Sequence, residues 1–440
     1  MRTQCALVLL VGLVAQIDEG DWAMNKPLPE DPMMRELIQV ARRHQMTRRT
    51  AIAGASATAA ALALAACSPG GGAGKKTLSP AKDLSDAEKI VVWDNWPYYM
   101  DGHDSPQSPT IKGFEAKSGI KVEYNVNVDD NNTYFARVKN QLASGADTGA
   151  DTMCLTDWMA SRLIKAGELQ PMQYDLLPSV TANFNNAFKT TFGAFDPGRK
   201  YSITWKGIVA GIGYNKKRYK ELTGQDAPKT FNDVFENPKL KGHIEVLSEM
   251  RDTLGIIMLS QGVDITKFSE NDFSNAIDYF KKKVADGWIR GIKGNSYIDD
   301  YKSGDAVAGI VWTGDIIGAN AELGRDDLGV VLLDSGSTFA CDNYLIPMGA
   351  KHAKNAHKLI DYYFEPEVAA ELALAGVNYV TPVNGAREIA VAKNPKIGNN
   401  PLIFPSDSDY ATKFKVFRAL TPAEDNTFSK TWSDASNGVI

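Results

Sequence analysis

The apolar positions follow two alternating rhythms along the chain. Residues 89–94 form a short, nearly continuous apolar run, the pattern of a strand buried on both faces. Residues 110–118 repeat at helical spacing and stop at Gly119. The stretch 120–128 alternates apolar and polar residues, which predicts a strand. Tyr134, Phe135, Val138 and Leu142 then recur at helical spacing over 132–144. A strand over 151–155 and a helix over 158–166 continue the series, with further helices near 269–286 and 353–364. Strands that alternate with helices predict an α/β fold with largely parallel sheets. There is no internal repeat, and no apolar run after Ala66 has the length of a membrane span.

The first 66 residues read as an address. Arg48 and Arg49 stand before an Ala/Leu-rich run of 16 residues, 51–66, which is short for a span. Leu64-Ala65-Ala66-Cys67 follows. A positive start, an apolar stretch and small residues before a cut describe a secretory signal. The paired arginines resemble a twin-arginine signal, although Thr50 and Ala51 stand where that pattern prefers a bulky apolar residue. Leu-Ala-Ala-Cys resembles a bacterial lipobox, which makes Cys67 the expected lipidated first residue of the mature chain. A cleaved signal with an incidental cysteine is the alternative. Residues 68–76, rich in Gly with two lysines, suit a flexible tether. Residues 1–16 are themselves apolar, so Met24 and Met46 are both candidate starts. The expected division is 1–66 as export signal and leader and 67–88 as lipidated cysteine and tether.

Composition narrows the function. Of 440 residues, 44% are apolar and 23% charged, enough for a sizeable core in two lobes. A net charge of −5 argues against nucleic acid as a partner. The four cysteines (Cys5, Cys67, Cys154, Cys341) include no CxxC pair, and the five histidines are scattered, so no metal-ligand spacing exists. Pairing of Cys154 with Cys341 and two buried free thiols both remain open. No GxSxG, HExxH, P-loop or Cys–His arrangement is present, and the glycine-rich stretch 207–213 does not fit the dinucleotide fingerprint. No catalytic residue and no cofactor is expected.

Particular residues carry a resemblance. The stretch Phe114-Glu115-Ala116-Lys117-Ser118-Gly119-Ile120-Lys121-Val122 follows a first strand that ends in Asp94-Asn95-Trp96-Pro97-Tyr98-Tyr99. Tyr201-Ser202-Ile203-Thr204-Trp205, Gly309-Ile310-Val311-Trp312, Asp342-Asn343-Tyr344-Leu345-Ile346-Pro347 and Tyr379-Val380-Thr381-Pro382 come after, in that order. From about residue 89 to the C-terminus, the chain resembles the spermidine/putrescine-binding proteins of bacterial polyamine ABC importers. The resemblance implies a two-lobed, periplasmic-binding-protein-like α/β fold, with a ligand cleft between lobes joined by crossover strands. Lobe one would comprise 89–205 plus 338–382, and lobe two 206–337 plus 383–440. It also implies a receptor without catalysis, partnered by an ABC permease and ATPase. Such a receptor is exported to the periplasm or the outer face of the cytoplasmic membrane and meets the membrane only through its lipid anchor.

The ligand chemistry sets what a site must contain. A polyamine is a string of ammonium groups separated by methylenes. Ammonium needs acceptors when desolvated, and carboxylates are the strongest. Aromatic faces serve both the cations and the methylenes. By resemblance, the site residues are Trp96, Tyr99, Thr156, Trp158, Glu249, Asp252, Trp312, Asp342 and Tyr379. The residues alone leave blander roles open. Trp96 can cover a strand end, Glu249 and Asp252 can share a solvated helix face with Arg251, and Asp342 can cap a turn. Trp312 and Tyr379 can be core. Departures from the family are Pro97 and Tyr98 at the pocket mouth and Ala340, where the family often has Trp. Asp157 and Asp315 are additional acids. These leave room for a longer, bulkier or differently charged amine. A receptor of the same fold for another solute (another organic cation, a metal ion or a sugar) is the alternative.

Overall fold

The computed structural model describes residues 77–102, 104 and 107–437. The expected signal (Arg48, Arg49), the lipidated Cys67 and the tether over 68–76 lie outside the described residues.

The alternation predicted from the sequence is present. Strands β1 (Ile90–Asn95), β2 (Lys121–Val126) and β3 (Thr152–Thr156) interleave with helices α1 (Pro109–Ser118), α2 (Asn131–Ser144) and α3 (Asp157–Ala166). Local chemistry sets the helix ends. Pro109 occupies the first turn of α1, and Gly119 closes it at φ 68°, a left-handed conformation that glycine adopts without steric cost. Asp130 caps α2 by accepting from the Thr133 N–H at 2.9 Å.

A long strand, β4 (Ser202–Asn215), follows. After it come β5 (Ile244–Leu247), α4 (Met250–Ser260), α5 (Glu270–Ala285), β6 (Ile289–Lys293), β7 (Ala308–Trp312) and α6 (Thr313–Leu323). Strands β8 (Leu328–Val331) and β9 (Ser337–Leu345) lead to α7 (Ala353–Tyr362), α8 (Pro366–Leu374), α9 (Ala386–Lys393), α10 (Pro395–Gly398), β10 (Phe414–Lys415) and α11 (Pro422–Ser436). The spatial order is β2-β1-β3-β9-β4-β7-β5-β6, with β10 on β9 and β8 on β4. Pairing is parallel among β1, β2 and β3 and among β5, β6 and β7, but antiparallel wherever β4 or β9 meets β3, β7 or β8. The sequence pattern therefore captures the two outer blocks and misses the antiparallel centre. The reason is that β4 is buried along its whole length, so its apolar run carries no face periodicity to read.

These two central strands join the halves of the fold. Residues 202–209 of β4 pair with β9, while 210–215 pair with β7 and β8. The β4–β9 register shifts between Thr204 and Lys206, a bulge at Trp205. Around it, Trp93, Tyr344 and Tyr363 crowd the Trp205 ring at 5.1–5.3 Å between centroids, forming the aromatic core of the first half. On the second half, α11 packs on α5 through the stacked rings of Phe273 and Phe428, 3.7 Å apart.

Two segments pack elsewhere than the sequence division places them. Residues 81–88, given to the tether, are docked. Ala81 and Leu84 donate to the Met348 and Lys351 carbonyls at 2.8 and 2.7 Å, and the Lys354 N–H donates to Asp83. Helix α9, given to lobe two, lies against α8, and α10 lies against α9, so both sit beside the first half. Their contacts are helix to helix and leave no mark on local periodicity.

Candidate functional site

The carboxyl ends of β1, β3, β5 and β7 converge on the face where β4 and β9 cross, the place where open α/β sheets present ligand loops. A cavity of about 940 Å³ opens there. Trp96, Tyr99, Thr156, Trp158, Glu249, Asp252, Trp312, Asp342 and Tyr379 all line it. The structure thus brings together every binding residue expected from the sequence.

Each side chain is delivered by a specific local device. Trp96 and Tyr99 follow β1 in a turn where Tyr98 adopts φ 62°, an unfavourable conformation for a residue with a side chain. The Asp104 carboxylate holds this turn by accepting from the backbone N–H groups of Tyr98 and Met100. Glu249 is the N-cap of α4, accepting from the Arg251 N–H at 3.1 Å, and Asp252 lies in the first turn. Both carboxylates therefore sit at the positive end of a helix. Asp252 is buried, so the solvated-face alternative does not hold for it. Asp342 lies inside β9, opposite Thr156 of β3, and caps no turn. Tyr379 reaches across the start of α6 because residue 314 is glycine. A Cβ there would stand 2.5 Å from the Tyr379 ring.

The polar contacts form three clusters. Asp342 accepts from the Tyr99 hydroxyl and, at 2.7 Å, from the Thr156 hydroxyl, which Asn131 supports at 2.8 Å. Asp252 accepts from the Trp312 indole at 2.8 Å and the Thr338 hydroxyl at 2.5 Å. Glu249 accepts from the Trp158 indole at 3.1 Å. Aromatic rings fill the intervals. Tyr99 meets Tyr379 edge to face at 4.4 Å, and Trp96 meets Trp312 at 6.3 Å. The Trp96 Nε1 finds no acceptor among the described residues.

Asp157 is a fourth carboxylate on the same wall. It accepts from the Trp158 N–H at 2.6 Å and the Cys341 N–H at 3.2 Å. Asp315 is not on the lining but stands behind it, accepting from the Tyr379 hydroxyl and, at 2.8 Å, from Tyr297. Asn295 donates to Asp315 at 3.0 Å, which leaves its Oδ1 acceptor without a partner among the described residues. Tyr98 turns away from the cavity toward Lys302.

Burial dominates the electrostatics. It pushes the carboxyls of Asp342 and Glu249 up to about 7, against the Tyr99 and Thr156 donors in the first case and Arg251 in the second. It raises Asp157 and Asp315 to about 6 and raises Asp252 as well. The clustering of desolvated carboxylates adds to the effect, since Asp157 and Asp252 both raise Asp342. Lys206, opposite Asp342 in the strand ladder, is brought down to about 7 by burial, and its ammonium lies 4.4 Å from the Trp205 ring.

Sequence reasoning left one part of the site unplaced. Asp425, on the C-terminal helix α11, accepts from Arg162 at 2.6 Å and from Arg251 at 2.8 Å. Arg251 in turn lies 4.0 Å over the Trp158 ring. Arg162 and Asp425 are 263 positions apart, and neither stands in a motif, so no local signal announces the pair. Cys154 and Cys341 are buried free thiols, which resolves the alternative left open by the sequence. Among the described residues no helix is long and apolar enough to cross a membrane, and no group of three or more His, Cys, Asp or Glu side chains is placed to hold a metal ion.

Known proteins resemble this chain over most of its described length. Residues 110–403 match the family described as bacterial extracellular solute-binding protein. The putrescine-binding periplasmic protein PotF of Escherichia coli is 25% identical over 364 residues, spanning 81% of this chain and 93% of that protein. The spermidine/putrescine-binding periplasmic protein 1 of Haemophilus influenzae is 25% identical over 327 residues, spanning 74% of this chain and 83% of that protein. The crystal structure of the spermidine/putrescine transporter substrate-binding protein PotD of Streptococcus pneumoniae superposes with a TM-score of 0.63 at 21% identity, covering 80% of this chain and all of that one.

Proposed function

This chain belongs to the bacterial extracellular solute-binding proteins, and from that premise we propose that it binds a polyamine of the spermidine/putrescine type and delivers it to an ABC permease. One observation carries the reading: Asp157, Glu249, Asp252 and Asp342 line one cavity together with Trp96, Tyr99, Trp158, Trp312 and Tyr379. A carboxylate offers about four acceptor sites. Asp252 and Asp342 each use two on hydrogen-bond donors of the wall, which leaves acceptor capacity for ammonium groups. The orphan Oδ1 of Asn295 is a further acceptor. Aromatic faces between the acids suit methylene segments and cations alike. The names of the relatives, which bind putrescine or spermidine, point the same way.

The lobes are assigned as the two halves flanking β4 and β9. Closure about these strands would bury the amine, and the closed form would dock on the permease. Export through a twin-arginine signal and anchoring through lipidated Cys67 remain part of the proposal, as do the permease and ATPase partners. The site is read as a binding site with no chemical step.

Calorimetric titration of the purified domain with putrescine, spermidine and spermine tests this reading, with a sugar and a monoamine as controls. Saturable micromolar or tighter binding that Asp342→Asn abolishes is the expected result. Heat from the sugar alone, or none from any polyamine with folded protein, would move the assignment to another solute of the same fold class.

A further inference from the structure

The cavity does not end at the acids. Its lining also carries an aromatic group, a phenylalanine chamber continuous with the acids: Phe192, Phe195, Phe339, Tyr410, Phe414 and Phe417. The edge of β9 carries residues of both groups, Phe339 and Asp342. β3 pairs with this strand at residues 342–345 and β10 pairs at 337 and 338, so 339–341 lie between the two on this side. Asp157 accepts the Cys341 N–H in that gap. Ala340 is half-buried on the wall and has only a methyl side chain.

The phenylalanine chamber is built rather than incidental. Phe339 packs on Phe192 at 4.3 Å and on Phe414 at 5.2 Å, and Tyr410 closes on Phe192 at 5.5 Å. Its position depends on Gly207 of β4, since a Cβ there would stand 2.6 Å from the Phe339 ring. Phe195 and Phe417 are only partly buried while lining the cavity. A thin linear diamine or triamine engages the acidic end and leaves the partly buried rings of Phe195, Tyr410 and Phe417 uncovered, while Phe192, Phe339 and Phe414 are already buried. At about 940 Å³ the whole cavity lies in the range that encloses drug-sized molecules of roughly 300–1,000 Å³.

We propose that the ligand is a polyamine carrying an apolar, preferably aromatic, substituent on one terminal nitrogen, with its cationic part held by the acids and its arm in the phenylalanine chamber. This rests on the polyamine reading above and deepens it. The arm adds buried apolar area without adding charge, so it sets selectivity among polyamines.

Titrations of the domain with spermidine, N-benzylspermidine and benzylamine test it, on the unaltered protein and on two variants. Ala411→Trp fills the chamber from an exposed position, and Phe417→Ser removes part of its apolar wall. N-benzylspermidine should bind about 10–100-fold tighter than spermidine. Both variants should erase that gain while leaving spermidine affinity within about twofold. Spermidine binding with an equal or weaker benzyl derivative overturns the inference and leaves the function standing. A gain that persists in both variants places the arm elsewhere and also overturns it. Binding of neither polyamine by folded protein overturns the functional reading itself, and this inference with it. Benzylamine binding as tightly as its spermidine derivative would show that the acids are not the anchor, which overturns both.

Discussion

Proton release should accompany ligand binding, and its size follows from the buried acids. Without ligand, the Asp342 and Glu249 carboxyls are pushed up to about 7 from 3.8 and 4.5 by burial. An ammonium beside each reverses the cause, because a nearby cation favours the ionised form. At pH 6 a group with a pKa of about 7 is roughly nine-tenths protonated, so each weakens binding by about tenfold and the pair by about 100-fold relative to pH 8. Close to two protons per ligand should leave at pH 6, and few at pH 8. Titration calorimetry in two buffers of different ionisation enthalpy measures both quantities. A Kd that stays within about threefold from pH 8 to pH 6, with no buffer dependence, refutes the reasoning. It would mean that the acids are already ionised in the empty cavity or that the ligand does not engage them. The same linkage has a stability side. The folded values lie above the unfolded ones, so this contribution is complete below about pH 4 and lost as pH rises through about 7. Lys206, held down to about 7, works in the opposite sense. Ligand should therefore raise Tm more at pH 8 than at pH 6.

Further outcomes follow from single contacts. Asp342→Asn keeps an acceptor oxygen for one of the Tyr99 and Thr156 hydroxyls, replaces the other oxygen by an NH2 donor and leaves an ammonium unpaired, a loss of about 3–5 kcal/mol. Calorimetry should show affinity falling by at least ~100-fold, while Tm of the ligand-free protein at pH 8 stays level or rises. Trp312→Phe keeps the ring beside Trp96 and removes the donor to Asp252. It should weaken binding by no more than about tenfold, and a larger loss would assign the indole a direct role. Asp425→Asn separates Arg162 from Arg251. The effect on Kd should be below about tenfold and shrink with added salt, because these groups are partly exposed. Cys154 and Cys341 should resist a thiol reagent in the native domain and react, two per chain, once it is unfolded.

Much of the fold is legible locally. Strand β1, the stop at Gly119, the apolar spacing of α2 and the β3–α3 junction each carry their signal within a dozen residues. The candidate site was legible for a different reason. Trp96, Tyr99, Thr156 and Trp158 stand at or just beyond strand ends, where the α/β pattern itself predicts ligand loops. Glu249, Asp252, Trp312, Asp342 and Tyr379 had no such mark and came from resemblance alone.

The sequence by itself determined the rhythm of strands and helices, the helix caps and the residue types a cationic ligand needs. Only the tertiary structure decided which of those residues meet. The antiparallel β4–β9 centre, the docking of 81–88, the Arg162–Asp425–Arg251 bridge and the phenylalanine chamber all join segments far apart in the chain. Local periodicity reports only which face of an element is buried. What that face is buried against depends on long-range packing, and so does the desolvation that raises Asp342 and Glu249 to about 7.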